Sequence, residues 1–574
     1  MSPMTRRFLA SLASSFLLLT ACAAQTARTD APPALAAAPG AISAADPRAA
    51  EAGREILRAG GSAADAAIAT AIALTVAEPQ SSGIGGGGFL VHHDGRSRAL
   101  TSFDGREEAP GSASPNWFLD ASGRPVDDPS VGGRATGVPG NIRMFALAHS
   151  KHGKLPWARL FDPAIRLARD GYQLTERGRD AIATWRPEAL RLTPWARATF
   201  LDASGTAKPV GTLIRNPELA RLMTEVAQRG PDHFYTGPLA ERIAAAVASA
   251  PRHPAPMTKG DLVSYDARQR EAQCGSYRGH RICGMGPPSS GATTVFAILK
   301  QLERFDLAAL GPDSPEAWHL IAESMRLAYA DREAYLADPD HVRVPVAGLM
   351  NPEYLGRRSA LITRGRALAS VSPGTPPGAT RTAFVAHDEP AGTSHMVASD
   401  RWGNVATLTS TIEAPWGSGV TVGGMFLNNE LTDFHVVPQA GGILVANRVE
   451  AGKRPRSSMS PTIVYGPDGQ VRLALGAAGG ATIIMQVAKS IIGVVDWGRS
   501  AQEALALPTL VAAGPGIAVE RGTALERMAP ALTALGHRVS FRAPGSFKAN
   551  AIERVGGRWI GAADPRSEGV ALSE

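Results

Sequence analysis

The chain has 574 residues, 61 of them glycine and 43 proline, with 44% hydrophobic and 19% charged residues. This globular composition excludes a disordered or collagen-like chain, and the length-based prior of about four domains is soft because large α/β sandwiches fold longer chains as one unit. The 59 lysines and arginines exceed the 52 acids to give a net charge of +7. No basic block, no aromatic-interleaved basic stretch and no zinc-finger spacing accompanies that charge, so nucleic-acid binding has no specific support.

Residues 1–22 open with Arg6 and Arg7, continue through an apolar stretch from Phe8 to Leu19 and end Leu19-Thr20-Ala21-Cys22. The stretch is too short to span a bilayer. It resembles a bacterial lipoprotein signal, in which cleavage before Cys22 leaves that cysteine as the lipid-bearing N-terminus. Secretory cleavage among the small residues 21–24 is the alternative, and either implies export, to the periplasm or to a membrane surface held by lipidated Cys22. Residues 23–45 are Ala, Pro, Thr and Gln with almost no large apolar side chain, the composition of a tether, and folded structure is expected from about Asp46 onward as one body.

Ser62-Ala-Ala-Asp65 offers a hydroxyl N-cap and a first-turn acid, and Ile68, Ile72 and Val76 follow at four-residue spacing. This predicts a buried helix ending before Pro79. Gly83-Ile-Gly85-Gly-Gly-Gly88 matches G-x-G-x-x-G, but it follows a helix and runs into the strand-like Phe89-Leu-Val-His92, the reverse of a dinucleotide site. Its glycines are expected to allow close backbone packing or left-handed turns. His92 and His93 have no evident partners and are expected at the surface. Arg278-Gly279 reads as a two-residue hairpin turn, and counting outward pairs 277 with 280 and 274 with 283. Cys274 and Cys283 then face each other as a disulfide, favoured by export, or remain two buried thiols.

Ser314-Pro315 begins a second helix with Trp318, Ile321, Met325 and Ala328 on one stripe. Short β-branched or alternating runs at 396–399, 405–413, 462–465 and 471–475 read as strands, giving an α/β or α+β class. On the 405–413 strand, Thr407, Thr409, Thr411 and Glu413 share one face. A polar row of that kind by itself is an exposed sheet face. No G-x-S-x-G elbow or H-E-x-x-H motif is present.

The neighbours of that row change its meaning. GGSAADAAIA at 60–69, EPQSSGIGGGGF at 78–89, REEAP at 106–110, PPSSG at 287–291 and HLIAESMRLAYADR at 319–332 precede it. TSHMVASDRWGN at 393–404 leads directly into it, and LNNELTDF at 427–434, GKRPRSSMSPT at 452–462 and GAAGGATII at 476–484 follow it. Taken together and in this order, they resemble the γ-glutamyltransferase family of N-terminal-nucleophile hydrolases across nearly the whole mature chain. The resemblance implies an αββα four-layer sandwich and self-cleavage between Gly392 and Thr393, giving a large subunit, 46–392, and a small subunit, 393–574, that stay associated. A threonine hydroxyl is a weak nucleophile that needs a base, and cleavage supplies one by freeing the residue's own amine, of pKa about 7.7–8.0.

The resemblance further implies Arg106 as partner of the substrate α-carboxylate with Ser457 and Ser458 as hydroxyl donors, and Glu430 and Asp433 as partners of the α-ammonium. It implies the Gly479 and Gly480 N–H groups as oxyanion hole and Thr411 as support for the nucleophile. Glu413 stands beside the glutamyl head group where many members have asparagine, Ser394 replaces a common Thr or Ala, and the segment between Asp433 and Lys453 is short and lacks tyrosine. These departures bear on substrate and acceptor preference. The expected substrates are glutathione or another γ-glutamyl compound, with water or an amino acid or dipeptide as acceptor and no metal or organic cofactor. A glycine-bearing cover at 437–447 and a negative Glu413 are expected to favour hydrolysis over transfer. The alternatives are a related acylase acting on a glutaryl or poly-γ-glutamyl group and, in another class, a non-catalytic exported lipoprotein.

Overall fold

A computed structural model of the protein describes residues 39–380, 382–383, 392–543 and 547–574. Cys22, the signal segment and the tether up to residue 38 lie outside the described residues.

Two antiparallel sheets face each other. The first runs, in spatial order, Val570–Ser573, Ala41–Ala44, Ser394–Ser399, Val405–Thr411, Gly87–His93, Leu100–Gly105 and Arg268–Arg270. The second runs Arg558–Ala563, Lys548–Val555, Val471–Ala478, Thr462–Tyr465, His280–Gly284 and Gln273–Tyr277. The sheets meet where Ser394–Ser399 and Val405–Thr411 pack on Val471–Ala478. Helices Ala63–Ala77 and Asn141–His152 cover the first sheet, and Gly291–Leu302 and Thr482–Val495 cover the second, which makes the expected αββα sandwich.

Strand periodicity explains the layering. Along Gly87–His93, Leu90 joins the core beneath the first sheet's helices, while Phe89 and Val91 join the core between the sheets. Met396 and Ala398 likewise face the helices and Val397 faces the second sheet, so the alternation carries His395 and Thr393 into the space between the sheets. The helix predicted from Ser62 spans Ala63–Ala77 with a reciprocal Ser62–Asp65 capping box and is buried on every face, which its alanines permit. The second predicted helix spans Pro315–Tyr335.

The Arg278-Gly279 turn has positive φ at both residues, 50° and 77°, as a hairpin turn of matching twist requires. The register pairs Tyr277 with His280 and Cys274 with Cys283, and these cysteines form a disulfide with Cα atoms 4.1 Å apart.

Three expectations are corrected. Residues 41–44, assigned to the tether by composition, form an internal strand bonded on both sides, because ladder hydrogen bonds do not require bulky side chains. His92 and His93 are buried, His92 stacked on His152 with ring centroids 3.8 Å apart and His93 hydrogen-bonded to the Tyr465 hydroxyl at 3.1 Å. The threonine row is an internal face and its strand ends at Thr411, since Glu413 takes a left-handed φ of 76° that leaves the sheet. Separately, the expected cover at 437–447 contains a short hairpin, Gln439–Ala440 with Ile443–Leu444, around Gly441-Gly442.

Candidate active site

Thr393 immediately precedes the Ser394–Ser399 strand. Because Ser394 pairs with Ser410 in the antiparallel register, Thr393 lies across from Thr411 with both side chains directed between the sheets. The Thr393 hydroxyl is 2.5 Å from the Gly392 carbonyl oxygen and 3.2 Å from the Thr411 hydroxyl, and Thr411 donates to the same Gly392 oxygen at 2.6 Å. The Glu413 N–H donates to the Thr411 hydroxyl at 2.7 Å and fixes its rotamer.

One step further along, the His395 ring is held by Thr409 at 2.8 Å and Thr407 at 3.1 Å. Burial pushes its pKa down to about 3. A neutral imidazole with both nitrogens engaged is a structural member and not a base for Thr393. Its ring fills the space over Gly476, where any Cβ would overlap it. Thr411 is placed by a similar approach, since a side chain at Gly86 would strike the Thr411 carbonyl. Close packing, and not positive φ, is what the 83–88 glycine run supplies there.

On one side of Thr393 lies a small cavity of about 20 Å³ lined by Arg106, Thr411, Glu413, Glu430, Asp433, Ser457, Ser458 and Gly480. Arg106 is fully buried, pairs with both Glu430 and Asp433, and donates to the carbonyls of Pro455 at 3.0 Å and Arg456 at 2.8 Å. Burial disfavours its charge, but Glu430 and Asp433 more than offset this and hold it firmly protonated. Glu107, Glu413 and Glu430 crowd the same space. Burial raises the Glu430 pKa well above the ordinary range, with Arg106 opposing and the neighbouring acids adding to the rise. Burial, then Asp433, raises that of Glu413, so the negative charge expected on Glu413 is disfavoured. Ser458 accepts from Arg332 at 2.5 Å, and the Ser457 hydroxyl accepts the Met459 N–H at 3.1 Å.

On the other side Thr393 opens into a cleft of about 920 Å³ that also exposes Gly392 and Gly479. Gly479 and Gly480 join the Val471–Ala478 strand to the Thr482–Val495 helix with φ of 127° and 55°. Their N–H groups donate no hydrogen bond among the described residues. They therefore stand as open donors at a helix N-terminus beside the Thr393 hydroxyl.

Every site residue expected in the folded chain, apart from the distant disulfide, thus converges on Thr393. Three contributors carried no role beforehand. Glu107 sat unassigned inside REEAP, beside Arg106. Arg332 closes the 319–332 stretch. Lys548 has no motif: its ammonium donates to Glu78 at 2.8 Å and to Ser394 at 3.2 Å, and Ser394 donates to Glu78 at 2.6 Å, a buried network under the nucleophile's neighbour. Glu78 and Lys548 are 470 positions apart, beyond any spacing rule.

A threonine heading an inner strand of an αββα sandwich, with its hydroxyl against its own preceding carbonyl and open backbone donors beside it, defines an N-terminal-nucleophile hydrolase. Residues 49–573 match the family described as Gamma-glutamyltranspeptidase, and the chain belongs to that family. It is 36% identical over 547 residues to the glutathione hydrolase proenzyme of Bacillus subtilis (strain 168), covering 93% of this chain and 91% of that protein. It is 34% identical over 581 residues to the glutathione hydrolase proenzyme of Escherichia coli (strain K12), covering 98% of each. Among solved structures, the cephalosporin acylase from Bacillus halodurans superposes with a TM-score of 0.82 at 28% identity, covering 94% of this chain and 96% of that one. Family membership sets aside the non-catalytic binding module.

Proposed function

We propose that this chain cuts itself before Thr393 and then acts as a γ-glutamyl hydrolase and transferase on glutathione or a related γ-glutamyl compound. The carrying observation is that Thr393 lines both the cleft that exposes Gly479 and the small cavity in which Gly480 stands with a buried set of one guanidinium and several carboxyls. That set matches an α-amino acid head group. The carboxylate of the head group displaces Glu430 and Asp433 from Arg106, and the α-ammonium is then held by the two released acids. A glutaryl group would leave those acids without a cation, which is costly in a buried site.

In the precursor, the Thr393 hydroxyl oxygen bonds to the Gly392 carbonyl carbon while Thr411 supports the oxygen that gains charge. The C–N bond to Thr393 breaks, its nitrogen takes the hydroxyl proton, and water hydrolyses the resulting ester to leave a free amine. In the mature enzyme that amine accepts the Thr393 hydroxyl proton as the oxygen attacks the γ-carbonyl. The oxyanion is held by the Gly479 and Gly480 N–H groups. The amine passes the proton to the departing nitrogen, and water or an acceptor amine resolves the ester.

Two bands on a denaturing gel, with the small fragment beginning Thr-Ser-His-Met, test the first half, and Thr393→Ala should remain one chain. Side-by-side assay of a γ-glutamyl anilide and a glutaryl anilide tests the second, and faster glutaryl release would overturn the head-group assignment. Including glycylglycine measures the division between water and acceptor. Export with lipidation of Cys22 belongs to the same proposal, supported by the charged start and apolar run of residues 1–22. Radiolabelled palmitate incorporation that is lost in Cys22→Ala tests it.

A further inference from the structure

Thr393 separates two spaces of different size. With the glutamyl head group bound at Arg106, Glu430 and Asp433, the scissile nitrogen and what it carries face the larger cleft, whose volume of about 920 Å³ is that of a small-ligand site. The cleft wall carries charges of both signs, and most are already engaged. Lys548 is committed to Glu78, Glu568 accepts from Thr175 at 3.2 Å and also feels the charge of Arg177, and Asp180 lies 3.3 Å from Arg179.

Arg177 differs. It is half-buried in the cleft wall at the start of the Glu176–Thr184 helix. Its guanidinium makes no ion pair or hydrogen bond among the described residues, and its buried Nε has no partner. The guanidinium carbon lies 5.1 Å from the centroid of the Trp185 ring, which lines the same cleft. An arginine with a free planar face and unsatisfied donors, set against an aromatic wall, suits a carboxylate.

We infer that Arg177 receives the free carboxylate of the leaving group. The preferred donors are then γ-glutamyl derivatives of an amino acid or short peptide with an unblocked C-terminus, over γ-glutamyl amines that lack an acid. An extended dipeptide reaches about 7 Å from the scissile nitrogen, a length the cleft accommodates. This inference rests on Thr393 being the residue acylated by the γ-glutamyl group, as proposed above.

The test compares kcat/KM for glutathione with that for glutathione amidated at its glycine carboxyl, in the processed wild-type enzyme, Arg177→Met and Arg177→Lys. The wild type should favour the free acid by about tenfold or more, the order expected for a charge-assisted pair. Arg177→Met should bring the ratio close to one, with Arg177→Lys between. A folding defect in a variant lowers both substrates together and leaves the ratio in place. A wild-type ratio near one, or a ratio that survives Arg177→Met, overturns the inference while leaving γ-glutamyl transfer intact. Failure of the wild type to cleave either γ-glutamyl compound would instead overturn the function proposed above.

Discussion

Replacing Thr411 by valine removes one hydroxyl and keeps a β-branched side chain of nearly the same shape, so the strand and its packing should persist. Three interactions disappear, the first being the 3.2 Å contact with the Thr393 hydroxyl. The Gly392 carbonyl loses the donor at 2.6 Å that supports it during attack by Thr393, and loss of one oxyanion donor typically slows a reaction by about 10²–10³-fold, or roughly 3–4 kcal/mol. The Glu413 N–H loses its acceptor at 2.7 Å, and a buried orphan donor costs about 1–3 kcal/mol of stability. Thr411→Val should therefore persist as a folded but less stable precursor that processes slowly, and Thr411→Ser should process at close to the wild-type rate. The assay is a time course of precursor loss on denaturing gels after purification at low temperature, with a thermal melt of each precursor. Wild-type processing in Thr411→Val, or equally slow processing in both variants, would refute the role assigned to this hydroxyl.

Three further outcomes follow from the buried site. Arg106→Ala should weaken γ-glutamyl binding by about 2–5 kcal/mol, as for truncating one member of a buried charge pair. It should also lower the melting temperature more at pH 8 than at pH 5, because Glu430, whose pKa burial raises, is left without its cation only when ionised; equal losses at both pH values would contradict the ion-pair account. Burial pushes the Glu107 pKa up to about 7 against Arg106's opposing charge. Its contribution to stability is therefore present below about pH 4.5 and lost as the pH rises through 7, so Glu107→Gln should flatten the decline in melting temperature between pH 5 and pH 8. Gly476→Ala should cost about 1–3 kcal/mol by overpacking against the His395 ring and should slow processing by displacing the strand that Thr393 heads, read from chemical denaturation and the same gel assay.

The local elements were legible because their signals are local. Ser62 and Asp65 cap the helix they were expected to cap, the Arg278-Gly279 turn sets the register that brings Cys274 to Cys283, and the 462–465 strand has the bounds its β-branched residues suggest. The family pattern added Thr393, Arg106, Glu430 and Asp433, because the order of many short motifs carries information that no single motif does. The same local criteria failed where stability comes from partners distant in the chain. Residues 41–44 lack bulk but gain two ladders, His92 is buried against His152 and His93 against Tyr465, neither near in the chain, and the threonine row becomes internal only because a second sheet covers it.

The sequence by itself therefore determined the class of fold and, through the order of its motifs, the family, and that resemblance is what singled out Thr393 as nucleophile and Arg106, Glu430 and Asp433 as head-group residues for the proposed function. Only the tertiary structure decided that Arg106 is neutralised by the same acids that would hold the substrate ammonium, that burial disfavours charge on Glu413, that Lys548 and Glu78 underlie Ser394, and that Arg177 stands in the cleft wall without a hydrogen bond or salt bridge among the described residues. These are properties of electrostatics and burial, which depend on which side chains share a low-dielectric space, and that sharing is set by sheet register and packing between segments far apart in the chain.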